Sequence, residues 1–335
     1  MKKTLSLIAL ASLVALLHAQ QPAASAKPAA APKAVVQDKT PVNAFQIRDN
    51  MWMLVGDGGN VTMQVGDDGI LLVDTGLVNR TDALLEAIRK ISNKPIKYII
   101  NTHYHPDHVG GNEKIRAAGI TVTGGNVAGD IGDAGVGAAI IAHENTSNHM
   151  SAPTGQASAM PTGAWPTSTF FDAEKKLWFN GEAIQIFHAP SSHTDGDVFV
   201  HFRRNDVIVT GDMFTTVMYP FIDVAAGGTI NGWLKSLTRM VDTVVPVYGQ
   251  DGGSTIIPGH GRVCDVGDLL NYREMATVIR DRVLNLKKKG QTLAQVKAAK
   301  PSLGWDPRYA PQGSFVTGDA FVEAVFNTVD KDAKK

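Results

Sequence analysis

The pattern of apolar and polar residues predicts a first group of short strands in the N-terminal half of the chain. The runs lie at residues 45–48, 51–55, 61–65, 70–73 and 96–100, with turn residues between most of them. Before the last run, Leu84 and Ile88 recur at helical spacing after Thr81. A helix at about residues 112–118 and a strand at 120–123 continue the order strand, helix, strand. That order predicts a mixed sheet with helices packed on it.

From Lys175 the pattern changes to a meander of strands joined by tight turns. Its runs lie at residues 177–179, 184–187, 198–202 and 207–209, and a last clear strand lies at 255–257. The turn Asn180-Gly181 is a strong hairpin signal. Helices are predicted after the cap Thr229 and at about residues 269–289, 292–299 and 319–329. Residues 124–166, rich in Gly, Ala, Ser and Thr, show one short strand near Ile140.

Composition narrows the class of protein. The 335 residues are 44% hydrophobic, enough for a sizeable core in one large domain or two smaller ones. The 32 basic and 32 acidic residues give a formal net charge of zero, so no charge pattern indicates nucleic acid or an anionic membrane. The single cysteine, Cys264, cannot form an intramolecular disulfide, and we expect it to be a small buried apolar residue.

The N-terminus has the pattern of an export signal. Lys2 and Lys3 precede an apolar stretch that ends near Ala19, which is too short for a membrane span. We therefore predict a signal peptide at residues 1–19, with a retained anchor as the alternative, and a periplasmic or secreted protein. Residues 20–43, rich in Ala and Pro, are expected to be a disordered tether. Residues 44–335 would form the folded domain, with a C-terminal helical extension.

One loop carries an unusual concentration of metal-ligand side chains. His103, His105, Asp107 and His108 fall within six residues, directly after the apolar run at 96–100. Imidazole nitrogen and carboxylate oxygen are typical ligands of catalytic Zn²⁺, with bonds of about 2.0–2.2 Å. The loop therefore predicts a metal site at the end of a buried strand.

Three further strand ends carry side chains of the same kind, namely His193, Asp212 and His260. Together the strand ends supply five histidines and two carboxylates, about the number that two metal ions with an open position require. Asp74, also at a strand end, is expected either to hold a ligand histidine or to cap a helix. His143, His149 and His201 are expected to be structural or exposed rather than ligands.

These motifs resemble those of the metallo-β-lactamase-fold hydrolases. The segment His103-Tyr104-His105-Pro106-Asp107-His108 matches the family's signature, and His193, Gly211-Asp212 and Pro258-Gly259-His260-Gly261 match its later motifs in order. The resemblance covers roughly residues 44 to 290. It implies an α+β fold, a four-layer αβ/βα sandwich of two facing mixed sheets with helices outside and metals at one sheet edge.

The resemblance also implies the roles of individual residues. His103, His105 and His193 would bind a first zinc ion, and Asp107, His108 and His260 a second. Asp212 would bridge the two. A water shared by the ions would lose a proton near neutral pH and act as the nucleophile, and Asp107 would orient it as the catalytic carboxylate. Iron and manganese are alternatives to zinc.

Two departures from the β-lactamase pattern narrow the substrate. The largest lactamase subclass has a cysteine at the position of Asp212 and a lysine at that of Thr215. An aspartate is typical of thioesterases, lactonases and nucleases of the superfamily. We expect a small-molecule substrate with a lactam, lactone, ester or thioester bond, and no nucleic acid partner. β-Lactamase activity remains one of these options.

A redox enzyme on the same fold is the alternative. A di-iron member would have a glutamate at the position of His105, which disfavours that version. A mono-iron persulfide dioxygenase keeps the histidine signature, so spacing does not exclude it. Tyr219, Trp52 and the loop 56–60 are expected either to line the cleft or to serve as packing.

Overall fold

The structure, a computed structural model, describes residues 35–121, 137–153, 155–244 and 253–331. Its first sheet has seven strands in sequential order. They are β1 (Asn43–Arg48), β2 (Met51–Val55), β3 (Val61–Gly66), β4 (Gly69–Val73), β5 (Ile96–Ile100), β6 (Ala139–His143) and β7 (Ser168–Phe170). The pairs from β1 to β4 are antiparallel, and those from β4 to β7 are parallel. The sheet is therefore mixed, as predicted.

The second sheet has five strands in the order β12-β11-β10-β9-β8. They are β8 (Glu174–Phe179), β9 (Glu182–His188), β10 (Val198–Phe202), β11 (Val207–Val209) and β12 (Thr255–Ile257). The hairpin at Asn180-Gly181 joins β8 to β9, and both turn residues have positive φ, as its sequence predicts. Only the pair β11 and β12 is parallel among these strands.

The described residues also form nine α-helices. They are α1 (Thr81–Ile91), α2 (Pro106–Val109), α3 (Asn112–Ala117), α4 (Glu144–Met150), α5 (Ile230–Thr243), α6 (Val266–Lys288), α7 (Leu293–Ala298), α8 (Asp306–Tyr309) and α9 (Gly318–Thr328). None of the helices in this part of the chain has the length and apolar character needed to cross a membrane. Thr229 caps α5 by accepting a hydrogen bond from the amide of Gly232, as predicted.

Alternating side chains of each strand divide the core into three layers. Leu71 and Val73 of β4 face Val200 of β10 in a cluster between the two sheets. Leu72 points to the opposite side and packs with Leu84 and Ile88 of α1. On the far side of the second sheet, side chains of β9 to β12 pack against α5, α6 and α9. The result is the predicted four-layer αβ/βα sandwich.

Some predictions fall beyond the described residues. The signal peptide and residues 20–34 of the tether lie there, and these predictions therefore stand as made. The strand predicted at 120–123 lies partly there, while Ile120 and Thr121 have no regular secondary structure. Cys264 is 5% exposed, and burial raises the pKa of its thiol to about 12, as expected for an inert buried residue.

Candidate metal centre

The candidate site lies at an edge of the sandwich where strands of both sheets end. The parallel neighbours β4 and β5 end within three residues of Asp74 and His103. In the other sheet, the parallel neighbours β11 and β12 end within three residues of Asp212 and His260. Because carboxyl ends of parallel strands meet at one edge, residues distant in sequence come together there.

A first group of side chains comprises His103, His105, His193 and Asp212, whose ligand atoms all lie within 4.8 Å of one another. Nε2 of His193 lies 2.9 Å from Nδ1 of His105. Nε2 of His103 lies 3.9 Å from Oδ2 of Asp212. His103 and His193 are buried, whereas the side chains of His105 and Asp212 are 14% and 10% exposed.

A second group comprises Asp107, His108 and His260, again within 4.8 Å of one another. Nε2 of His260 lies 3.2 Å from Oδ2 of Asp107 and 3.4 Å from Nε2 of His108. Asp107 and His108 are positioned by the short helix α2, which Pro106 begins.

Asp212 stands between the two groups. Its Oδ2 lies 3.9 Å from Nε2 of His103 and 3.9 Å from Nε2 of His193. Its Oδ1 lies 3.0 Å from Nε2 of His108 and 3.3 Å from Nε2 of His260. One carboxylate therefore faces both groups, and the structure brings together all seven residues that the sequence singled out.

Asp74 fixes the orientation of two histidines from behind. Its Oδ2 accepts a hydrogen bond from His108 Nδ1 at 2.8 Å and one from the Thr102 hydroxyl at 2.7 Å. The Thr102 oxygen in turn lies 3.0 Å from Nδ1 of His103. Of the two roles predicted for Asp74, the structure shows the one that holds a histidine.

Two outer partners were not found from the sequence. Oδ2 of Asp223 lies 3.1 Å from Nε2 of His105 and accepts a hydrogen bond from the Tyr104 hydroxyl at 2.7 Å. The carbonyl of Phe221 lies 2.5 Å from Nδ1 of His193. No motif spacing links residues 221–223 to the ligand histidines, because these contacts form only when loops that are distant in sequence pack together in the fold.

Two histidines of the first group, His103 and His193, are in the neutral form. Burial, with the neighbouring His108 and His193, holds the pKa of His103 well below its ordinary value. Burial likewise lowers the pKa of His193 to about 4. Neutral imidazole is the form that binds a metal.

In the second group, carboxylates override burial. Burial alone would lower the pKa of His260, but Asp212 and Asp107 raise it to about 9. The pKa of His108 is raised well above its ordinary value against burial, by Asp212 and Asp74. Binding of a divalent cation to these two histidines would therefore release protons.

The donor set fits a divalent cation on structural grounds. Nε2 of His103 is buried and has no hydrogen-bond partner within the described residues, which is costly unless a metal or another group completes it. A Cβ at Gly259 would lie 2.0 Å from Oδ1 of Asp212, and one at Gly59 would lie 2.3 Å from the ring of His108. Only glycine permits so close an approach of backbone to the cluster. The cluster is of the kind that binds divalent metal ions.

A cleft of about 600 Å³ opens next to both groups. It is lined by His105, Pro106, Asp107, Asp212, Val217, Met218, Phe221, His260, Ser314 and Phe315. Ser314 and Phe315 come from the loop between α8 and α9, which motif analysis did not connect with the site. An apolar wall thus faces the cluster of histidines and carboxylates.

The remaining histidine and aromatic candidates from the sequence, namely His143, His149, His201, Tyr219 and Trp52, lie outside the cleft lining. His143 stacks on His188 at 3.5 Å, His149 lies 2.8 Å from a carboxylate oxygen of Asp195, and His201 lies within β10. Tyr219 is fully buried and Trp52 packs against the outer face of the first sheet. Of the aromatic and loop candidates, the loop 56–60 alone touches the cluster, through Gly58 and Gly59.

Comparison with known proteins agrees with this geometry. The chain is 26% identical over 273 residues to a linear primary-alkylsulfatase of Pseudomonas sp. (strain ATCC 19151). That match covers 72% of this chain and 50% of the relative, so the chain spans about half the relative's length.

Two solved structures share the fold. An inverting sec-alkylsulfatase from Pseudomonas sp. superposes with a TM-score of 0.62 at 18% identity, covering 85% of this chain and 50% of that one. A metallo-beta-lactamase from Pontibacter korlensis superposes with a TM-score of 0.52 at 17% identity, covering 70% and 99%. The sequence profile of the metallo-beta-lactamase superfamily matches residues 54–260, which hold all seven residues of the two groups. The chain belongs to the metallo-beta-lactamase superfamily.

Proposed function

We propose that the chain is an exported hydrolase that uses two divalent metal ions, zinc by preference, to cleave a carbonyl-based bond of a small molecule. The observation that carries the proposal is the arrangement of Asp212, whose two oxygens face two separate groups of nitrogen and oxygen donors. His103, His105 and His193 would hold one ion and Asp107, His108 and His260 the other. Such ions lower the pKa of water and polarise the bond to be cleaved.

Asp107 is the residue placed to handle the proton. It lines the cleft, and its side chain is 31% exposed. Burial would raise the pKa of Asp107, but the hydrogen bond from His260 and the charge of His108 keep it below its ordinary value. Asp107 is therefore ionised at neutral pH, and in the proposed reaction it would take a proton from the attacking water and then give that proton to the leaving group.

The lining of the cleft favours uncharged ester and lactone substrates. None of the described residues that line it is Lys or Arg, so a substrate carboxylate would find no lysine or arginine side chain there. Thr215, at the position where many lactamases have lysine, is buried and directs its hydroxyl towards the His260 carbonyl at 3.3 Å. β-Lactams, whose carboxylate needs such a cation, are the weaker option.

A second candidate function is hydrolysis of alkyl sulfates. The relative named as a linear primary-alkylsulfatase supports it, and so does the apolar wall of the cleft, which suits an alkyl group. The lack of a lysine or arginine among the described lining residues speaks against a sulfate, because its charge would rest on the metals alone. An assay with dodecyl sulfate separates the two candidates.

The test is a hydrolysis panel with zinc-loaded protein, comparing a p-nitrophenyl ester, a homoserine lactone, nitrocefin, a glutathione thioester and dodecyl sulfate. We expect turnover of the ester or lactone, and Asp107→Asn should lower kcat by at least about 100-fold. Asp67→Asn, an exposed turn carboxylate, is the control and should keep full activity. Metal content is measured in parallel on protein purified without added metal. Iron with thiol-dependent oxygen uptake, and no hydrolysis, would establish the dioxygenase alternative instead.

A further inference from the structure

The mouth of the cleft carries an ordered apolar surface next to the donor groups. Val217, Met218, Phe221 and Phe315 line it, and we refer to these four residues as the apolar shelf. Val217 is 50% exposed and Phe315 is 77% exposed. Contiguous exposed apolar side chains beside a reactive centre are typical of a ligand-binding surface.

The apolar shelf is continuous with the metal-ligand cluster. The ring of Phe221 lies 5.8 Å from that of His105 and 5.7 Å from that of His193. The ring of Phe315 meets Phe221 edge-on at 5.4 Å. A chain lying along the shelf would therefore start at the reacting bond and run outwards past Phe221 to Phe315.

The two halves of the apolar shelf are fixed to one another. Tyr219 donates a hydrogen bond from its hydroxyl to Asp306 at 2.8 Å and from its amide to the Tyr309 carbonyl at 3.1 Å. Val316, next to Phe315, is buried in the core with α5, α6 and α9. Phe315 is thus held over the cleft by anchored neighbours, although its own ring remains exposed.

We propose that the apolar shelf binds the hydrocarbon chain of the substrate, and that Phe315 sets a preference for long chains over short ones. This inference rests on the proposed function and names the substrate class, namely esters or lactones with an alkyl or acyl chain. Phe315 lies outside residues 54–260, so this member of the apolar shelf comes from the C-terminal segment, whereas Val217, Met218 and Phe221 belong to the part that matches the family profile.

A chain-length series tests the proposal. kcat/KM is measured for p-nitrophenyl acetate, butyrate, hexanoate and octanoate with the metal-loaded wild type. Full burial of one methylene group strengthens binding by about fourfold. On an open shelf the gain in free energy is about half as large, which corresponds to about twofold tighter binding per methylene. We expect kcat/KM to rise at least about tenfold from acetate to octanoate, and Phe315→Ala to lower kcat/KM much more for octanoate than for acetate, which removes most of that rise.

Phe171→Ala is the matched control, because Phe171 is 78% exposed and lies away from the cleft. It should keep the wild-type dependence on chain length. Equal losses for acetate and octanoate in Phe315→Ala, or a flat series in the wild type, would overturn the role of the apolar shelf while leaving the hydrolase function intact.

Binding without turnover separates this inference from the proposed function. Calorimetric titration compares octanohydroxamate with acetohydroxamate, both of which carry the same metal-chelating group. We expect octanohydroxamate to bind at least about tenfold more tightly, with the advantage lost in Phe315→Ala and kept in Phe171→Ala. If the protein gives that result but hydrolyses no ester, the chain-binding role of the apolar shelf would be supported and the proposed ester hydrolysis would be refuted. Equal affinities would reject the apolar shelf.

Discussion

At the residue scale, the site depends on fixing both nitrogens of three of its histidines. His108, His193 and His105 present one nitrogen to the cluster, while Asp74, the Phe221 carbonyl and Asp223 hold the other. Such outer contacts set the tautomer and the ring orientation of a metal ligand. The site is therefore built from the ligands and from the partners behind them.

Asp74→Asn tests this dependence. The amide group would place a donor against the Thr102 hydroxyl and His108 Nδ1, where the wild type has an acceptor. Asparagine tolerates the positive φ of this position, 64°, so the backbone should persist. We expect zinc affinity to fall about 10- to 100-fold in competition with a chromophoric chelator. Asp67→Asn should not change it, and unaltered affinity in Asp74→Asn would show that the contact does not position His108.

The seven donor residues were predictable because each follows an apolar strand and matches a motif, whereas Asp223 was not. Its carboxylate reaches His105 across 118 positions of sequence through a loop without a recognisable pattern. The roles of Asp74 were narrowed to two by its place at a strand end, and the fold selected one. Residues whose function arises from contacts between the sheets thus escape motif analysis.

His143 gives a pH prediction for metal-free protein. Burial and the stacked His188 lower the pKa of His143 to about 4, whereas the unfolded chain titrates near 6.5. Between pH 4 and 6.5, the His143 side chain binds a proton in the unfolded state but not in the folded state. The contribution of His143 to the free energy of unfolding is therefore fully present above pH 6.5 and is lost as the pH falls towards 4.

His143→Asn keeps a hydrogen-bond acceptor at the start of α4. We expect this substitution to remove a pH-dependent part of the free energy of unfolding, of at most about 2 kcal/mol. Urea unfolding of both proteins between pH 4.5 and 8 measures it, as a wild-type advantage that shrinks on acidification. A difference that is the same at every pH would refute the assignment.

At the scale of elements, α5 fixes the loop that carries His193. The carbonyl of Ser191 accepts hydrogen bonds from the Thr229 amide and hydroxyl, both at 3.0 Å, and Gly232 packs directly on it. A Cβ at Gly232 would lie 2.1 Å from that carbonyl. The helix and the ligand loop therefore depend on one another.

Gly232→Ala should push α5 away from this loop and destabilise the protein by about 2–3 kcal/mol. Gly267→Ala in α6 is the matched control, since its Cβ would meet only the Asp265 carboxylate at 3.2 Å or beyond. Helix propensity predicts a gain of about 0.5–1 kcal/mol there. Guanidinium unfolding of the two variants measures both effects, and equal stabilities would contradict the packing described.

Element prediction succeeded where periodicity was strong. The cap Thr229 and the spacing of Trp233 and Leu237 identify α5, and the Asn-Gly turn identifies the hairpin of β8 and β9. The helix α4 was not predicted, because its sequence is mostly polar and only Thr146 and Met150 are buried. Such a helix depends on its neighbours for stability rather than on its own pattern.

At the scale of the molecule, the fold class followed from the order of elements and from the motif resemblance. Three other features could not be predicted from the sequence. They are the number of strands in each sheet, the sequential strand order of the first sheet and the return of residues 314–315 to the cleft. They depend on how strands pair and on where the C-terminal segment packs, and neither leaves a periodic signal.

The central claim is that the seven side chains hold two divalent ions with Asp212 between them. The most direct test is a zinc-edge anomalous difference map from crystals grown with zinc. A dinuclear site predicts two peaks per chain. One peak should lie about 2.0–2.2 Å from the nitrogens of His103, His105 and His193. The other should lie at the same distance from the ligand atoms of Asp107, His108 and His260. Asp212 should contact both. A single peak, or peaks at other residues, would contradict a dinuclear site formed by these seven side chains.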